Sequence, residues 1–162
     1  MDKWNELKQK VKELNASNIS VGFTTGTFDI LHTDHIAHLL ECKEYCDFLI
    51  VKINSDQNVK GRKGGNRPII CDLDRLRIVK SIRYVDFALI YDFKSSNALY
   101  NSIADLGVNY YFPGVKTSTA LPAEHELILT SHGIKVVWSI RPVQLISTTE
   151  IISEIVKKYK NG

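Results

Sequence analysis

Residues 19–38 read ISVGFTTGTFDILHTDHIAH, and this stretch organises the predicted fold. It begins with a β-branched and aromatic run, breaks at Gly26, and then has Asp29, His32 and His35 around the start of an apolar-periodic segment. This order predicts a strand, a tight turn and the first turn of a helix. A helix start presents unpaired N–H groups and the positive end of the helix dipole. We therefore predict an anion site where the two imidazoles grip a phosphate chain.

Strand and helix patterns alternate along the rest of the chain. FLIVKIN at 48–54 is a nearly continuous apolar run, typical of a strand that helices cover on both faces. We predict one α/β domain over residues 1–162, a Rossmann-like parallel five-stranded sheet with helices on both faces, whose ligands bind beyond the strand carboxyl ends. The other predicted helices lie at 3–14, 95–106, 122–132 and 148–158, with one more from the signature turn to about residue 45 and one that Asp72 caps. The other predicted strands lie at 87–91, 110–112 and 135–140, and residues 55–68 are predicted to form a polar loop.

Composition excludes several classes of protein. Hydrophobic residues make up 44% and charged residues 24% of 162, which argues against a disordered or fibrous chain. No apolar run is long enough to span a membrane, the amino terminus does not resemble a signal peptide, and a net charge of +3 does not indicate a nucleic-acid partner. Three cysteines without CxxC spacing, Cys42, Cys46 and Cys71, favour a reducing, cytoplasmic location. Cys42 and Cys46 are interpreted as packing thiols rather than metal ligands.

The histidines of the chain, and the acidic residues of the central stretch, each have a structural and a functional interpretation. His38, His125 and His132 are assigned to capping or packing, whereas His32 and His35 are assigned to function. Asp29 is either catalytic or, as its residue type favours, a cap that fixes the turn. Asp34 lies between the two functional histidines, where a carboxylate repels a triphosphate unless a divalent cation lies beside it or the side chain points away.

The residues from Gly26 to His35 also carry a family resemblance. GTFDILHTDH is similar to the G-x-F-D-x-x-H-x-G-H signature of the HIGH-superfamily nucleotidyltransferases, except that Asp34 occupies the position of a glycine. The resemblance implies that His32 and His35 stabilise the charge that builds on a nucleotide's α-phosphate while pyrophosphate leaves. It also implies a nucleotide-binding segment made of Thr25, Gly26, Thr27, Phe28 and Asp29. Apart from the resemblance, Phe28 is interpreted as a packing residue.

Residues 54–86 resemble two branches of that superfamily. The run from Asn54 to Ile69 is similar to the N-S-D-x-x-V-K-x-x-K-G-x-x-R-P-I run of heptose-1-phosphate adenylyltransferases. This similarity implies that Lys60 and Lys63 hold the triphosphate or the acceptor phosphate, and Arg62 beside them is assigned to substrate binding. Arg75 lies where that branch and the cytidylyltransferases have a helix arginine, which implies that it binds substrate as well. IRYVD at 82–86 instead resembles the glycerol-3-phosphate cytidylyltransferases.

The carboxyl-terminal third carries one matching and one divergent segment. ISTTEII at 146–152 is similar to the family's I-S-T-T/S motif, which implies nucleotide contacts from Ile146, Ser147, Thr148 and Thr149, and from an arginine upstream that corresponds to Arg141. By contrast, YFPGVK at 111–116 departs from a K-G-x-D-like sequence of the relatives, leaving Lys116 as a candidate replacement for the missing lysine.

The expected activity is transfer of AMP or CMP from ATP or CTP to a phosphorylated sugar or polyol, with release of pyrophosphate. Mg²⁺ is expected to bridge phosphate oxygens, with no metal site made of protein side chains. A heptose-1-phosphate type of adenylyltransferase is slightly favoured, a cytidylyltransferase for a small alcohol phosphate is the close alternative, and a catalytically impaired nucleotide-binding regulator is the third. The resemblance also implies a possible homodimer.

Overall fold

A five-stranded parallel sheet, with strand order β3-β2-β1-β4-β5, forms the centre of the molecule. The structure is a computed structural model that describes residues 2–114, 121–139 and 147–160. The predicted sheet is confirmed. Chain order runs outward from β1 to β3 and then returns to β4 on the other side of β1, so strand order reverses beside β1. The strands are β1 Val21–Gly26, β2 Phe48–Ile53, β3 Phe87–Ile90, β4 Tyr110–Phe112 and β5 Lys135–Val136.

Helices cover both faces of the sheet, as predicted. Ile50 of β2 packs into one buried cluster with residues of the first, fifth and sixth helices, while its neighbours Leu49 and Val51 pack into another with residues of the second and fourth. This alternation explains why β2 is apolar on both sides. None of the helices in the described ranges is long and apolar enough to cross a membrane. The helices are α1 Lys3–Ala16, α2 Thr33–Tyr45, α3 Asp56–Lys63, α4 Asp72–Lys80, α5 Ser96–Leu106, α6 Ala123–Ser131 and α7 Thr148–Tyr159.

The prediction of a polar loop over residues 55–68 is wrong, because residues 56–63 form helix α3. Ser55 is the N-cap, and its side chain accepts a hydrogen bond from the backbone N–H of Asn58. Val59 is fully buried and anchors the helix to the domain. The helix ends at Gly64, whose φ of 89° favours glycine. One cap and one buried valine therefore outweigh the poor helix propensity of this segment.

Smaller corrections concern the edges of the predicted elements. Asp72 does not cap its own helix, since its carboxylate accepts a hydrogen bond from the N–H of Asp56 and so joins α4 to α3. The last strand covers two residues rather than 135–140. The apolar side of α7, predicted to be buried, is half exposed at Ile155 and Val156, and Leu73 of α4 is 60% exposed. The apolar periodicity therefore predicted the positions of these helices correctly but overestimated how far their apolar side chains are buried.

Candidate active site

The turn after β1 is a strained segment that several buried groups hold in place. Phe28 and Ile30 both have a positive φ, 54° and 46°, which is unusual for a bulky and for a β-branched residue. The Phe28 ring is buried against Gly26, where a Cβ atom would lie 2.7 Å from a ring carbon. Gly26 is therefore required by this contact, and the predicted packing role of Phe28 agrees with its position. Such strain persists only where the surrounding structure fixes the backbone.

Arg75 is one of the groups that fix this turn. Its side chain is completely buried and donates to the carbonyl oxygens of Thr27 (2.5 Å), Asn54 (2.9 Å) and Ile70 (2.9 Å). It also forms an ion pair with Asp56 at 2.8 Å. The prediction that Arg75 binds substrate is wrong, because its guanidinium has no exposed surface and four of its five N–H donors are used by the protein. A buried fork of donors instead joins the turn to the ends of β2 and α3.

Asp29 is the second group, and it is not a cap of α2. The N-cap of α2 is His32, which makes no side-chain capping bond. The buried Asp29 carboxylate accepts hydrogen bonds from Nε of Arg67 (2.9 Å) and from the N–H groups of Ile69 and Ile70 (3.0 Å each). Burial alone would raise the pKa of Asp29, but these bonds and the Arg67 charge hold it below its usual value. The predicted cap is therefore wrong, although the Asp29 carboxylate does fix the turn, and its contact with the nucleotide stays a prediction.

His32 and His35 lie together at the start of α2, as predicted. Their ring centroids are 3.9 Å apart, and Phe28 packs 5.3 Å from the His35 ring. The Nδ1 atoms of both rings are buried and have no hydrogen-bond partner among the described residues. Buried polar atoms are rarely left unsatisfied in proteins, so this arrangement points to a ligand that supplies the missing partners.

Both imidazoles are neutral near pH 7. Burial, together with the neighbouring His32, His38 and Lys63, lowers the pKa of His35 to about 4. Burial also lowers the pKa of His32, against a smaller opposite effect of Asp34. Each neutral ring has one N–H donor and one acceptor nitrogen. The pair is therefore suited to donating hydrogen bonds to phosphate oxygens rather than to forming fixed ion pairs with them.

A first cavity, of about 290 Å³, opens beside these rings. Asp34 lines it and therefore faces the same space as the two histidines, instead of pointing away. The start of α7 lies opposite, where Ser147 forms a capping box with Glu150. The complete lining consists of His32, Asp34, His35, Lys63, Arg67, Ser147, Thr148 and Thr149.

The hydroxyl-rich helix start predicted at residues 147–149 thus lies at the first cavity. Thr148 donates a 2.6 Å hydrogen bond to the carbonyl oxygen of Asp29, which fixes α7 to the turn after β1. Arg67 lies 3.5 Å from the Thr149 hydroxyl while its Nε bonds Asp29, so it joins all three segments. Arg141, Ile146 and Lys116, also predicted to contact the nucleotide or replace a contact, lie outside the described residues.

A second cavity, of about 450 Å³, lies at the carboxyl ends of β1 and β2. Thr25, Gly26 and Thr27 line this second cavity and not the first, and the buried Thr25 hydroxyl has no hydrogen-bond partner in the part of the chain that the structure describes. Lys63 lines both cavities, so the two spaces meet at its side chain. The other lining residues are Lys52, Asn54, Asn58, Arg62, Phe93, Lys94, Ser95, Ser96, Leu99 and Tyr100.

The basic residues of α3 separate on the two sides of the helix. Arg62 and Lys63 line cavities, whereas Lys60, for which we predicted the same role as Lys63, lines neither of the two. Sequence reasoning also missed Arg67 and Lys52 as site residues. A signal existed for Lys52, because a lysine inside an apolar strand is unusual. For Arg67 the only signal was its place in the run over residues 54–69 that resembles the heptose-1-phosphate adenylyltransferases.

Comparison with known proteins decides the family. A family model described as cytidylyltransferase-like matches residues 23–154, which is most of the chain. The chain belongs to the cytidylyltransferase-like family. The predicted nucleotidyltransferase domain is thereby confirmed at the level of the family.

Curated relatives of this cytidylyltransferase-like chain include two proteins described as bifunctional protein HldE. The one from Campylobacter fetus is 42% identical over 79 residues, and the one from Nitratiruptor is 39% identical over 89 residues. These alignments cover 49% and 55% of this chain but only 17% and 19% of the relatives. The chain thus corresponds to less than a fifth of the length of the curated relatives it matches.

Solved structures agree with the cytidylyltransferase-like fold. A lipopolysaccharide core biosynthesis protein from Thermoplasma volcanium superposes with a TM-score of 0.63 at 25% identity, covering 77% of this chain and 99% of that one. A pantoate-β-alanine ligase from Francisella tularensis gives a TM-score of 0.55 at 14% identity, covering 100% of this chain and 78% of that one. The second likeness concerns the fold alone.

Proposed function

We propose that this domain transfers a nucleotidyl group from ATP to the phosphate of a sugar phosphate and releases pyrophosphate. The observation that carries the proposal is the pair of cavities that meet at Lys63. One contains two neutral histidines with unsatisfied ring nitrogens, and the other is a larger basic space at the strand ends. Two anionic substrates bound in adjacent basic cavities would have their reacting phosphates at the junction.

In the proposed reaction, an oxygen of the acceptor phosphate attacks the α-phosphorus of the nucleotide. A new P–O bond forms, the bond between the α-phosphorus and the bridging oxygen breaks, and the bond electrons leave with pyrophosphate. The attacking oxygen is already anionic, so no general base is needed. His32 and His35 would donate N–H groups to the α-phosphate as charge builds there, while Lys63 and Arg67 would neutralise the other phosphates.

Mg²⁺ is proposed to accompany the nucleotide. The described ranges contain no group of three or more His, Cys, Asp or Glu side chains able to hold a metal ion. That composition suits an ion held mainly by phosphate oxygens and water, with at most one or two carboxylates. The first cavity, which contains the two histidines, is the nucleotide cavity of this proposal. Asp34 lines it and is the carboxylate that would contribute, and the ion would offset its repulsion of the phosphates.

ATP is proposed as the donor on two grounds. The sequence run over residues 54–69 resembles the heptose-1-phosphate adenylyltransferases, and curated relatives are HldE proteins. The IRYVD segment supports the alternative of CTP and a small alcohol phosphate. It lies between α4 and β3, where Asp86 bonds Lys43 and the N–H of Leu49, and none of its residues lines either of the two cavities described above.

A pyrophosphate-release assay tests the proposal, run with ATP and CTP in parallel against a panel of sugar phosphates and polyol phosphates. We expect release with ATP and a sugar phosphate. His32→Ala and His35→Ala should each lower kcat by about 100-fold or more, the usual effect of removing one donor to a developing oxyanion. His132→Ala is the matched control, since this exposed ring bonds only its own helix end.

Unchanged turnover in the two histidine variants would contradict the mechanism. Preference for CTP with glycerol phosphate would replace the donor and acceptor classes. Nucleotide-induced thermal stabilisation with no pyrophosphate from any pair would favour the nucleotide-binding regulator, which the carboxylate of Asp34 in the first cavity makes a real alternative.

A further inference from the structure

Lys52 is a buried cation in the wall of the second cavity, where the proposed function places the acceptor. It lies one residue before the end of β2, between the fully buried Val51 and Ile53, and is itself only 3% exposed. Its Nζ donates a 2.7 Å hydrogen bond to the side-chain oxygen of Asn54 and lies 5.9 Å from the centre of the Phe93 ring. A neutral amide and an aromatic face compensate an ammonium group only partly. The Lys52 ammonium therefore lies where an anionic ligand can supply the interactions that the protein does not.

The cavity around Lys52 contains more positive charge than one phosphate requires. Arg62, Lys63 and Lys94 line it with Lys52, and no carboxylate is present among its described lining residues. Asp92, which interacts electrostatically with Lys52, binds Ser55 through both its oxygens. A phosphate monoester carries at most two negative charges at neutral pH, so four cations exceed the charge of a single reacting phosphate.

These cations fall into two positions. Lys63 borders both cavities, and its charge interacts with Arg67 and Asp29 on the side of the first cavity. Lys52, Arg62 and Lys94 line only the second cavity. Lys52 interacts with Asp92 and Arg62, and Arg62 also interacts with Lys63. The reacting phosphate must lie at the junction, near Lys63, because only there can it meet the nucleotide. Lys52 and Arg62 are then left to face another part of the acceptor.

We infer that the acceptor carries a second anionic group besides the reacting phosphate, and that Lys52, with Arg62, binds this group. The inference rests on the nucleotidyl transfer proposed above and narrows the acceptor to sugar phosphates that have a further phosphate or carboxylate. A volume of about 450 Å³ is within the range of sites for small molecules of this size. Lys52 is thus a specificity-determining residue, and the nucleotide cavity does not involve it.

The test compares three acceptors with one sugar ring: glucose 1-phosphate, glucose 1,6-bisphosphate and glucuronic acid 1-phosphate. Pyrophosphate release with ATP is measured for the native protein, for Lys52→Met, which keeps the length of the side chain without its charge, and for Lys10→Met. Lys10 is exposed on α1 and lines neither cavity, so its variant is the matched control. The bisphosphate and the sugar acid distinguish the two possible kinds of second anion.

We expect at least a tenfold higher kcat/KM for one of the doubly anionic acceptors than for glucose 1-phosphate. Lys52→Met should erase that preference without changing the KM for ATP, and Lys10→Met should preserve it. Equal use of all three acceptors by the native protein would overturn the inference. So would a Lys52→Met variant that loses activity toward all three in the same proportion.

Binding of the same acceptors, measured by calorimetry in the presence of a non-hydrolysable ATP analogue, separates this inference from the proposed activity. Tight binding of a doubly anionic acceptor that depends on Lys52, without pyrophosphate release, would refute nucleotidyl transfer and leave the second anion site standing. Binding that is no tighter than that of glucose 1-phosphate would refute the second anion site, whether or not pyrophosphate is released.

Discussion

The buried charge of Lys52 makes a prediction about stability that needs no substrate. Burial lowers the pKa of Lys52 from 10.5 to about 8, so folding disfavours its protonated form. A shift of this size corresponds to about 3 kcal/mol at pH 7. Lys52→Met removes this cost, but it also leaves the Asn54 side-chain oxygen without its 2.7 Å partner, a loss of about 1 kcal/mol. We expect the variant to be more stable than the native protein by about 2 kcal/mol.

The sign of the pH dependence follows from the direction of the shift. Because the folded pKa of Lys52 is lowered, the penalty is complete below about pH 8 and disappears as pH rises toward the unfolded value of 10.5. The advantage of Lys52→Met should therefore shrink by about 2 kcal/mol between pH 7 and pH 9.5. The other titrating groups are the same in both proteins, so their contributions cancel in this difference.

Urea denaturation of both proteins at the two pH values measures this difference, with Lys94→Met as the control for an exposed lysine of the same cavity. Urea is preferred to guanidinium because it does not screen charge. The control should change the free energy of unfolding by less than about 0.5 kcal/mol at either pH. A difference between Lys52→Met and the native protein that stays constant with pH would refute the claim that the folded protein carries a destabilised ammonium at this position.

Three further predictions concern groups around the turn after β1. Arg75→Met should lower the free energy of unfolding by about 3 to 5 kcal/mol, because it leaves Asp56 and three carbonyl oxygens without their donor, whereas the exposed Arg77→Met should change it by less than about 0.5 kcal/mol in the same urea titration. Since the pKa of His35 is lowered to about 4, the unfolded chain alone binds that proton between pH 6.5 and 4, so acidification should remove about 3 kcal/mol of stability that His35→Gln retains; equal acid sensitivity in both proteins would contradict this. Asp29→Asn should lower stability by about 3 kcal/mol and weaken ATP binding, measured by calorimetry, because Arg67 loses the carboxylate that positions it at the first cavity; unchanged affinity would remove that positioning role.

The sequence predicted those parts of the molecule that depend on local patterns. The strand, turn and helix start over residues 19–38 follow from a β-branched run, a glycine and an apolar period, and the structure has them within about two residues. The end of α5 at Gly107 follows from the left-handed conformation, φ 77°, that favours glycine there. The pairing of His32 and His35 is local as well, because residues three apart on a helix start share one side.

What the sequence did not reveal depends on contacts between distant segments. Arg75 resembles a substrate-binding arginine in type and position, and only the folded chain shows that four groups already occupy its donors. The same holds for Asp29, whose partners lie about 40 residues away at 67–70. Capping rules consider only the adjacent helix, so they could not identify the distant partners of Asp29.

Helix α3 shows how such an error changes a functional assignment. Read as a flexible loop, residues 55–68 give Lys60 and Lys63 equal access to a phosphate. In a helix, successive residues turn by about 100°, so the buried Val59 fixes the direction of every neighbouring side chain. Arg62 and Lys63 then flank the inward side and line the cavities, whereas Lys60 is turned by about 100° from Val59 and lines neither. A rigid helix also holds Lys63 at the junction of both cavities, which a mobile loop would do only at an entropic cost for each bound phosphate. The different positions of Lys60, Arg62 and Lys63 relative to the cavities are therefore a consequence of one buried valine and one serine cap.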